Sequence, residues 1–422
     1  MRLYLHVLLK VQLLSMLLIF GHETTAGNTY YFSNIGLQDK LSQLSVLQIH
    51  EDYKGYMWFG TRNGLNRFDG NEMKVYKHQN MNESGSLVDN HITAITESKS
   101  HLLWVGSMQG LTSIDLTNNN ITPFHSYKYS LLNGGTRALL SDSRGKLWIG
   151  TPNGLCTFNA KDRSFHPISL KGKLKNVSIS SLMETTGQHI WIGTEKNGVY
   201  RYQPKTQEIT HYSTDNPLYH LSDNNIADIY EDSHKFIWIC TKNGGLCKFN
   251  PYTGNMQYFN TDNSSLTTNN IRTIVQVGGN LFIGTFDGLF VMDISSEKIS
   301  IVSNEGKGKG QLSHFSIYSL CTDRSKGLWI GTYSGGVNYY SMYNNRFTLH
   351  EPANYIRADL GIYGQMANYS GDKLYISTEG SGLLEYDVRK KNYQCYRYHN
   401  TSQIKEHNII KSIVTDHGNR LL

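Results

Sequence analysis

The stretch Met57-Trp58-Phe59-Gly60-Thr61-Arg62-Asn63-Gly64-Leu65-Asn66-Arg67-Phe68-Asp69-Gly70 decides the fold, because versions of it return along the whole 422-residue chain. Most copies keep an aromatic residue, a glycine two positions later, and a Gly-Leu or Gly-Val pair. Successive aromatic residues are 46, 44, 43, 47, 44, 47 and 46 positions apart, and all six tryptophans of the chain occupy this slot. The later copies begin at Trp104, Trp148, Trp191, Trp238, Phe282, Trp329 and Tyr375.

Each repeat contains four short apolar or aromatic segments, bounded by Gly, Asn, Asp or Ser. In one repeat they are residues 226–230, 238–241, 246–249 and 256–259. Four short strands with one aromatic anchor in a period of roughly 40 to 50 residues are typical of β-propeller blades. We therefore predict an all-β fold, a β-propeller of four-stranded blades. The tryptophan should wedge between neighbouring blades, and the glycine after it should let two sheets approach closely.

Residues 1–26 read as a secretory signal peptide. Arg2 precedes an apolar run that is strongest from Leu13 to Phe20, and small residues precede a cleavage point after Ala26. A membrane anchor is the alternative, but the uninterrupted run is far short of the roughly 20 residues that a bilayer requires. We expect export and a periplasmic location.

Composition excludes some classes of function. Only 18% of residues are charged and the net charge is +6, which is too small and too dispersed for a nucleic-acid-binding domain. The five cysteines have no metal-binding spacing, so no metal site and no cofactor are predicted. A disulfide between Cys240 and Cys247, which flank a short turn, is left open.

The ends of the chain suggest how the ring closes. Residues 30–44 resemble the outer strand of a blade whose other strands are missing, and an early outer strand can complete the last blade of a ring. We predict a seven-bladed propeller over residues 27–350 and the start of a second, truncated propeller over 351–422. A single ring of eight or nine blades is the alternative. The seven good repeats begin at Val46, Ile92, Thr136, Ile179, Ile226, Ile271 and Ile317.

The opening of the first repeat resembles a known family. Gly36-Leu37-Gln38-Asp39-Lys40-Leu41-Ser42, then Trp58-Phe59-Gly60-Thr61, then Gly64-Leu65-Asn66-Arg67-Phe68-Asp69-Gly70 are similar to the two-component regulator propeller family, the periplasmic sensor regions of hybrid histidine kinases. The resemblance implies a second propeller, an immunoglobulin-like domain, a membrane helix, a kinase core, a receiver and a DNA-binding domain beyond this region. It also implies a homodimer in the full-length protein, membrane attachment only through those later parts, and no kinase activity here.

The function that the resemblance implies is detection of an oligosaccharide. In propellers, the loops that join the second and third strands share a face with the loops that join successive blades. Aromatic residues on such a face can stack on sugars, and cationic residues can bond hydroxyls or carboxylates. A basic rim would fit an acidic glycan. The predicted ligand-binding residues are Arg62, Arg137, Tyr219, His220, Lys242, Arg272 and Tyr333.

Two other functions remain open at this point. Many propellers are protein-interaction scaffolds. Others are glycosidases or polysaccharide lyases, which need paired carboxylates or a His/Tyr/Arg system in one pocket. Most acids here recur at fixed repeat positions, as Asp52, Asp142, Asp232 and Asp323 do, and are interpreted as turn residues. No catalytic residue is predicted, although the non-repeating residues Asp287, Glu195, His220 and Tyr333 would be the candidates.

Overall fold

The chain divides into two compact units, Met1–Asn345 and Arg346–Leu422. The computed structural model describes residues 30–79, 85–302, 310–341, 362–368, 373–387, 389–390, 392–398 and 408–414. The predicted signal peptide, residues 1–26, lies outside the described residues. Within those ranges no helix is both long and apolar enough to cross a membrane. The only helices described are two 3₁₀ turns, Leu37–Asp39 and Ser130–Leu132.

The first unit contains seven four-stranded antiparallel sheets, here blades 1 to 7, whose strands A to D run outward from the centre. The strands of blades 1 to 4 are Val46–Glu51, Met57–Thr61, Gly64–Phe68 and Met73–Tyr76; Ile92–Glu97, Leu102–Ser107, Gly110–Asp115 and Ile121–His125; Ala138–Ser141, Leu147–Thr151, Gly154–Asn159 and Ser164–Ile168; and Ile179–Glu184, Ile190–Thr194, Val199–Gln203 and Glu208–Tyr212. Those of blades 5 and 6 are Ile226–Glu231, Ile237–Thr241, Leu246–Phe249 and Met256–Phe259; and Ile271–Val277, Asn280–Thr285, Leu289–Asp293 and Ile299–Ile301. Those of blade 7 are Ile317–Thr322, Leu328–Thr332, Val337–Tyr340 and Ser33–Ile35.

The ring is closed. Each A strand contacts the A strand of the next blade, and that of blade 7 contacts that of blade 1. The outer strand of blade 7 comes from the start of the described chain: Ser33 pairs with Tyr339 and Ile35 with Val337. The predicted all-β propeller and its closure by an early outer strand are both confirmed. Because the last sheet is completed in this way, no blade of the first unit is left with three strands.

The second unit contains one further four-stranded sheet, formed by the eighth repeat. Tyr375 occupies the aromatic slot, and its hydroxyl donates to Glu385 Oε2 at 2.9 Å. Lys373 Nζ donates to the other oxygen of the same carboxylate at 2.6 Å. Of the residues that follow this sheet, the structure describes 397–398 and 408–414. The strands of this sheet are Ile362–Asn368, Lys373–Thr378, Leu383–Asp387 and Asn392–Tyr396.

The recurring Trp-x-Gly element joins one blade to the next. Trp58 packs in one buried cluster with Leu103 and Val105 of blade 2. A methyl group added at Gly60 would lie 2.7 Å from Ile92 Cγ2, the first residue of blade 2. Both predicted roles, the wedge and the close approach, are confirmed. The equivalent distances are 2.8 Å for Gly106 to Thr136, 2.7 Å for Gly150 to Ile179, 2.8 Å for Gly193 to Ile226 and 2.7 Å for Gly284 to Ile317.

Blade 5 carries Cys240 where most blades have this glycine, and the cysteine is free. In the register of strands B and C, Cys240 pairs with Leu246, whereas Cys247 pairs with Ile239. Adjacent positions of a strand point to opposite faces of the sheet, so the two thiols lie in different clusters, one towards blade 6 and one towards blade 4. The disulfide left open by the sequence is therefore absent, and burial raises the pKa of both thiols.

The close approach between neighbouring blades predicts that a larger residue in place of the glycine would destabilise the protein. Gly150→Ala should lower the free energy of unfolding by about 1–3 kcal/mol, because a methyl group there would overlap Ile179 of the next blade. Gly279→Ala is the matched control, since an added methyl group meets nothing within 4 Å. Chemical denaturation of the two variants measures the difference. Equal midpoints for both would contradict this account of the interface.

A second repeated contact fixes the tryptophans. Asp232 Oδ2 accepts a hydrogen bond from Trp238 Nε1 at 2.8 Å. Its Oδ1 accepts from the backbone N–H groups of His234 (2.9 Å) and Phe236 (3.0 Å). The repeated aspartates are turn residues, as expected, and each also locks its own tryptophan, which the sequence did not reveal. The same pairs occur in blades 1, 3 and 7 as Asp52 with Trp58, Asp142 with Trp148 and Asp323 with Trp329.

Blade 4 lacks this contact. Thr185 stands six residues before Trp191, where those four blades have aspartate. Trp191 is 1% exposed, and its Nε1 has no hydrogen-bond acceptor among the described residues. The backbone turn is nevertheless preserved, because His189 N–H donates to Thr185 Oγ1 at 3.2 Å.

Reciprocal exchanges test the contribution of this contact. Thr185→Asp should raise the free energy of unfolding, and Asp232→Thr should lower it, each by about 1–3 kcal/mol, because one supplies and the other removes a charged acceptor for a buried N–H. Thermal and chemical denaturation measure both. If both exchanges shift stability in the same direction, the Asp–Trp bond is not the cause.

Candidate functional site at the mouth of the central channel

A narrow channel runs through the centre of the first unit. The third residue of every repeat, directly opposite the blade-joining Gly or Cys, carries a side chain that lines it. Most of these side chains are small, which keeps the seven A strands close together. They are Gln48, Ala94, Ala138, Ser181, Asp228, Thr273 and Ser319.

One end of this channel opens into a cavity of about 450 Å³, here called the channel mouth. In six blades the pairing of strands A and B slips between the first and third residues of strand A, so that the second residue forms a β-bulge. A bulge redirects a side chain out of the regular pleat. Each blade contributes the residue at this repeat position to the mouth, and in blade 3 it is Arg137, which directly precedes strand A. The seven residues are Leu47, Thr93, Arg137, Ser180, Ala227, Arg272 and Tyr318.

Arg272 is held between two aromatic rings. Its guanidinium carbon lies 4.4 Å from the centre of the Tyr318 ring and 5.1 Å from that of Phe286. Nη1 donates to Ser316 Oγ at 3.0 Å and to the carbonyl oxygen of Ile317 at 3.2 Å. Burial lowers the pKa of Arg272, but a guanidinium stays charged at neutral pH. The sandwich and the two bonds together fix its position.

Arg62 and Tyr333 extend this side of the mouth. Arg62 Nη2 donates to the Tyr318 hydroxyl at 3.3 Å, and its guanidinium lies 5.4 Å from the Tyr333 ring centre. The rings of Tyr318 and Tyr333 are 5.9 Å apart. Phe286 is 52% exposed and Tyr333 is 43% exposed, so both present aromatic surface to solvent. Blades 6, 7 and 1 thus form an aromatic wall beside two guanidinium groups.

The opposite side of the mouth is polar. Arg137 Nη1 lies 3.3 Å from Glu195 Oε1, and the side chain of Lys242 lines the same cavity. Ser180 Oγ, on the bulge of blade 4, is buried and has no hydrogen-bond partner among the described residues. Nearby, the carbonyl oxygen of Asn225 accepts from Lys242 N–H at 2.9 Å. This wall offers donors and acceptors rather than apolar surface.

The charges at the mouth are unbalanced. Arg62, Lys242 and Arg272 form no ion pair with a described residue, whereas Arg137 pairs with Glu195. Cationic side chains around a concave site raise the local positive potential and attract anions. Across the described ranges, no group of three or more His, Cys, Asp or Glu could hold a metal ion.

Five of the seven predicted ligand-binding residues meet at or beside the mouth: Arg62, Arg137, Lys242, Arg272 and Tyr333. Tyr219 does not. It packs on Tyr212, with ring centres 4.9 Å apart, in the core between blades 4 and 5. The carbonyl oxygen of His220 accepts from the Tyr258 hydroxyl of outer strand D. Binding by any of the seven stays a prediction.

The enzyme candidates are spread over several environments. Glu195 lines the mouth and pairs with Arg137. Asp287 accepts a hydrogen bond from the Thr267 hydroxyl at 2.9 Å. Each of the two carboxylates therefore interacts with a different neighbouring residue.

Comparison with known proteins identifies the repeats. The sequence profile described as "Two component regulator propeller" matches residues 40–63, 130–153, 220–243 and 311–334, in blades 1, 3, 5 and 7. These four repeats belong to the two-component regulator propeller family. Each matched segment contains the A and B strands of its blade.

The chain spans only part of the length of two of the proteins that it resembles. Histidine kinase P4 of Formosa agariphila is 29% identical over 245 residues, which are 43% of this chain and 17% of the kinase. The extracellular domain assigned to a hybrid two component system of B. thetaiotaomicron superposes with a TM-score of 0.67 at 21% identity, covering 93% of this chain and 52% of that one. Virginiamycin B lyase from Staphylococcus aureus, a propeller enzyme, has a TM-score of 0.55 at 13% identity, covering 74% and 98%. At these identities, likeness to the two solved structures establishes the fold alone.

A carboxylate, that of Asp228, lines the channel below the mouth. Its Oδ1 accepts from Ile229 N–H at 2.9 Å and from the Ser181 hydroxyl at 3.4 Å. Burial, the largest cause, raises its pKa to about 6. Folding therefore favours the protonated carboxyl group, and this stabilisation is present below pH 4 and is lost as pH rises through 6.

Asp228→Asn should become more stable relative to the unchanged protein as pH rises from 4 to 7, because the amide does not ionise. The change in the free-energy difference should be on the order of 2 kcal/mol. Denaturation at a series of pH values measures it.

Asp293→Asn is the control, since hydrogen bonds from Ser295 and Ser296 lower the pKa of Asp293 to about 2. Its stabilisation is lost only as pH falls below 4, so its difference from the unchanged protein should stay constant between pH 4 and 7. A constant difference for Asp228→Asn as well would show that Asp228 has an ordinary pKa.

Proposed function

We propose that this two-component regulator propeller is an exported, ligand-sensing region of a hybrid two-component regulator, and that it detects an oligosaccharide. Its repeats belong to a regulator family, and its fold matches the extracellular domain assigned to a hybrid two component system. The observation that carries the proposal is the channel mouth, where exposed aromatic rings stand beside cationic and hydroxyl side chains.

The mouth suits a sugar in size and chemistry. Its volume of about 450 Å³ lies within the usual range of roughly 300–1,000 Å³ for small-molecule sites. The rings of Tyr318, Tyr333 and Phe286 would stack on the apolar face of a sugar. Lys242, across the mouth, would bond its hydroxyl groups. A site with one apolar wall and one polar wall would orient a ring that itself has two such faces.

Signalling would follow from preferential binding. A ligand shifts a conformational equilibrium only by the difference between its affinities for the two states. We propose a homodimer in the full-length protein, in which ligand at the mouth favours one arrangement of the periplasmic regions. The membrane-proximal parts implied by the family would carry that change to the kinase.

A thermal-shift screen of the full chain against neutral, uronic and sulfated oligosaccharides tests the function. A ligand that binds only the folded state at 100 times its Kd should stabilise it by about 2.7 kcal/mol. Tyr333→Ala should reduce the shift, because it removes an exposed ring of the mouth. Tyr252→Ala is the matched control, since Tyr252 is 80% exposed and does not line the mouth.

Two results would contradict the proposal. One is a folded protein whose midpoint no oligosaccharide of the panel changes. The other is a glycan-induced shift that Tyr333→Ala leaves unchanged, which would place the binding site elsewhere in the chain.

A further inference from the structure

Arg272 is a partly buried cation without a counter-ion. Among the described residues no carboxylate forms an ion pair with it, although charged side chains are seldom buried unless they are paired. The nearest carboxylate along the channel lining, Asp228, is bonded instead to Ile229 N–H and the Ser181 hydroxyl. The desolvation of Arg272 is therefore not offset by a negative charge that the described residues supply.

The free edge of the guanidinium is suited to a planar anion. Nη1 is occupied by Ser316 and Ile317, while Nε and Nη2 have no acceptor among the described residues. These two nitrogens form one edge of the guanidinium, which can donate two parallel hydrogen bonds to a carboxylate or a sulfate. The aromatic sandwich of Tyr318 and Phe286 holds that edge in place before any ligand arrives.

The surroundings strengthen the preference for negative charge. Lys242 lines the same cavity without an ion-pair partner among the described residues, and Arg62 lies against Tyr318 on the adjacent blade. Glu195 offsets only Arg137, at 3.3 Å. A neutral sugar would leave three positive charges around it unmatched, whereas an acidic sugar would neutralise part of this potential.

We propose that Arg272 binds the anionic group of an acidic glycan, either a uronate carboxylate or a sulfate ester, while the sugar ring packs against Tyr318 and Tyr333. This inference rests on the proposed function and narrows its ligand to one chemical class. Arg272 is the residue that discriminates charged from neutral glycans, and Lys242 assists it from the opposite wall.

Arg272 also links blades 6 and 7 through Ser316 and Ile317, so its loss will affect stability whatever its role in binding. The decisive measurement is therefore selectivity between charged and neutral ligands, which a purely structural arginine would not change.

Isothermal titration of the full chain with two matched pairs of ligands tests the inference. The pairs are trigalacturonate with its methyl ester, and 6-sulfated N-acetyllactosamine with its unsulfated form. We expect the charged member of one pair to bind at least about tenfold more tightly than its neutral partner. Arg272→Gln should remove most of that preference, about tenfold to hundredfold for a charge-assisted hydrogen bond.

Two further variants keep the test decisive. Lys242→Gln should reduce the same preference severalfold, and because no described residue accepts a hydrogen bond from the Lys242 side chain, it should fold normally even where Arg272→Gln does not. Lys205→Gln removes one positive charge from an exposed position outside the mouth and should leave the preference unchanged. Thermal unfolding checks that each variant is folded.

The outcomes separate the two proposals. Preference for the charged member of only the first pair assigns a uronate, and of only the second a sulfate ester. Equal binding of charged and neutral members, or a preference that survives in folded Arg272→Gln and Lys242→Gln, overturns the anion inference but leaves oligosaccharide sensing intact. Binding by none of the four ligands overturns the inference and counts against oligosaccharide sensing as well.

Discussion

The closeness of neighbouring blades is the constraint on which the rest of this structure depends. Gly60, Gly106, Gly150, Gly193 and Gly284 each lie so near the first residue of the next blade that even a methyl group would overlap it. That contact sets the width of the central channel, and the width decides which side chains can share its mouth. A wider spacing would separate Arg272 from Tyr318, which belong to neighbouring blades.

The regular parts of the fold could be predicted from the sequence because they arise from residues that recur in each repeat. The interval between aromatic residues predicted the blades, and the unmatched strand near Ser33 predicted the closure. The Asp–Trp bond was missed, although Asp232 and its equivalents were recognised as recurring, because spacing along the chain does not show which way a carboxylate points. The Cys240–Cys247 disulfide could not be decided without the strand register, which places the two thiols on opposite faces.

The candidate site could be predicted from the sequence only in part, because its residues do not recur from repeat to repeat. Arg137 and Arg272 were selected as charged residues near blade junctions, whereas Tyr318 was overlooked at the equivalent position of blade 7. The signal that unites them is the second position of each repeat, and its meaning depends on the β-bulge that turns this residue towards the channel. Tyr219 was chosen on residue type and loop position, but its ring belongs to the core.

The strand Ser33–Ile35, which closes the ring, also affects how the protein folds. Ser33–Ile35 is synthesised well before its partner, Val337–Tyr340, which follows roughly 300 residues later. Pairings between such distant segments carry a large entropic cost of loop closure and are associated with slow folding. Blades can form one after another during synthesis, but the ring closes only when blade 7 pairs with Ser33–Ile35. Until then the A–B–C sheet of blade 7 has an open edge, and that edge is the place where a chaperone or a second unfinished chain would bind.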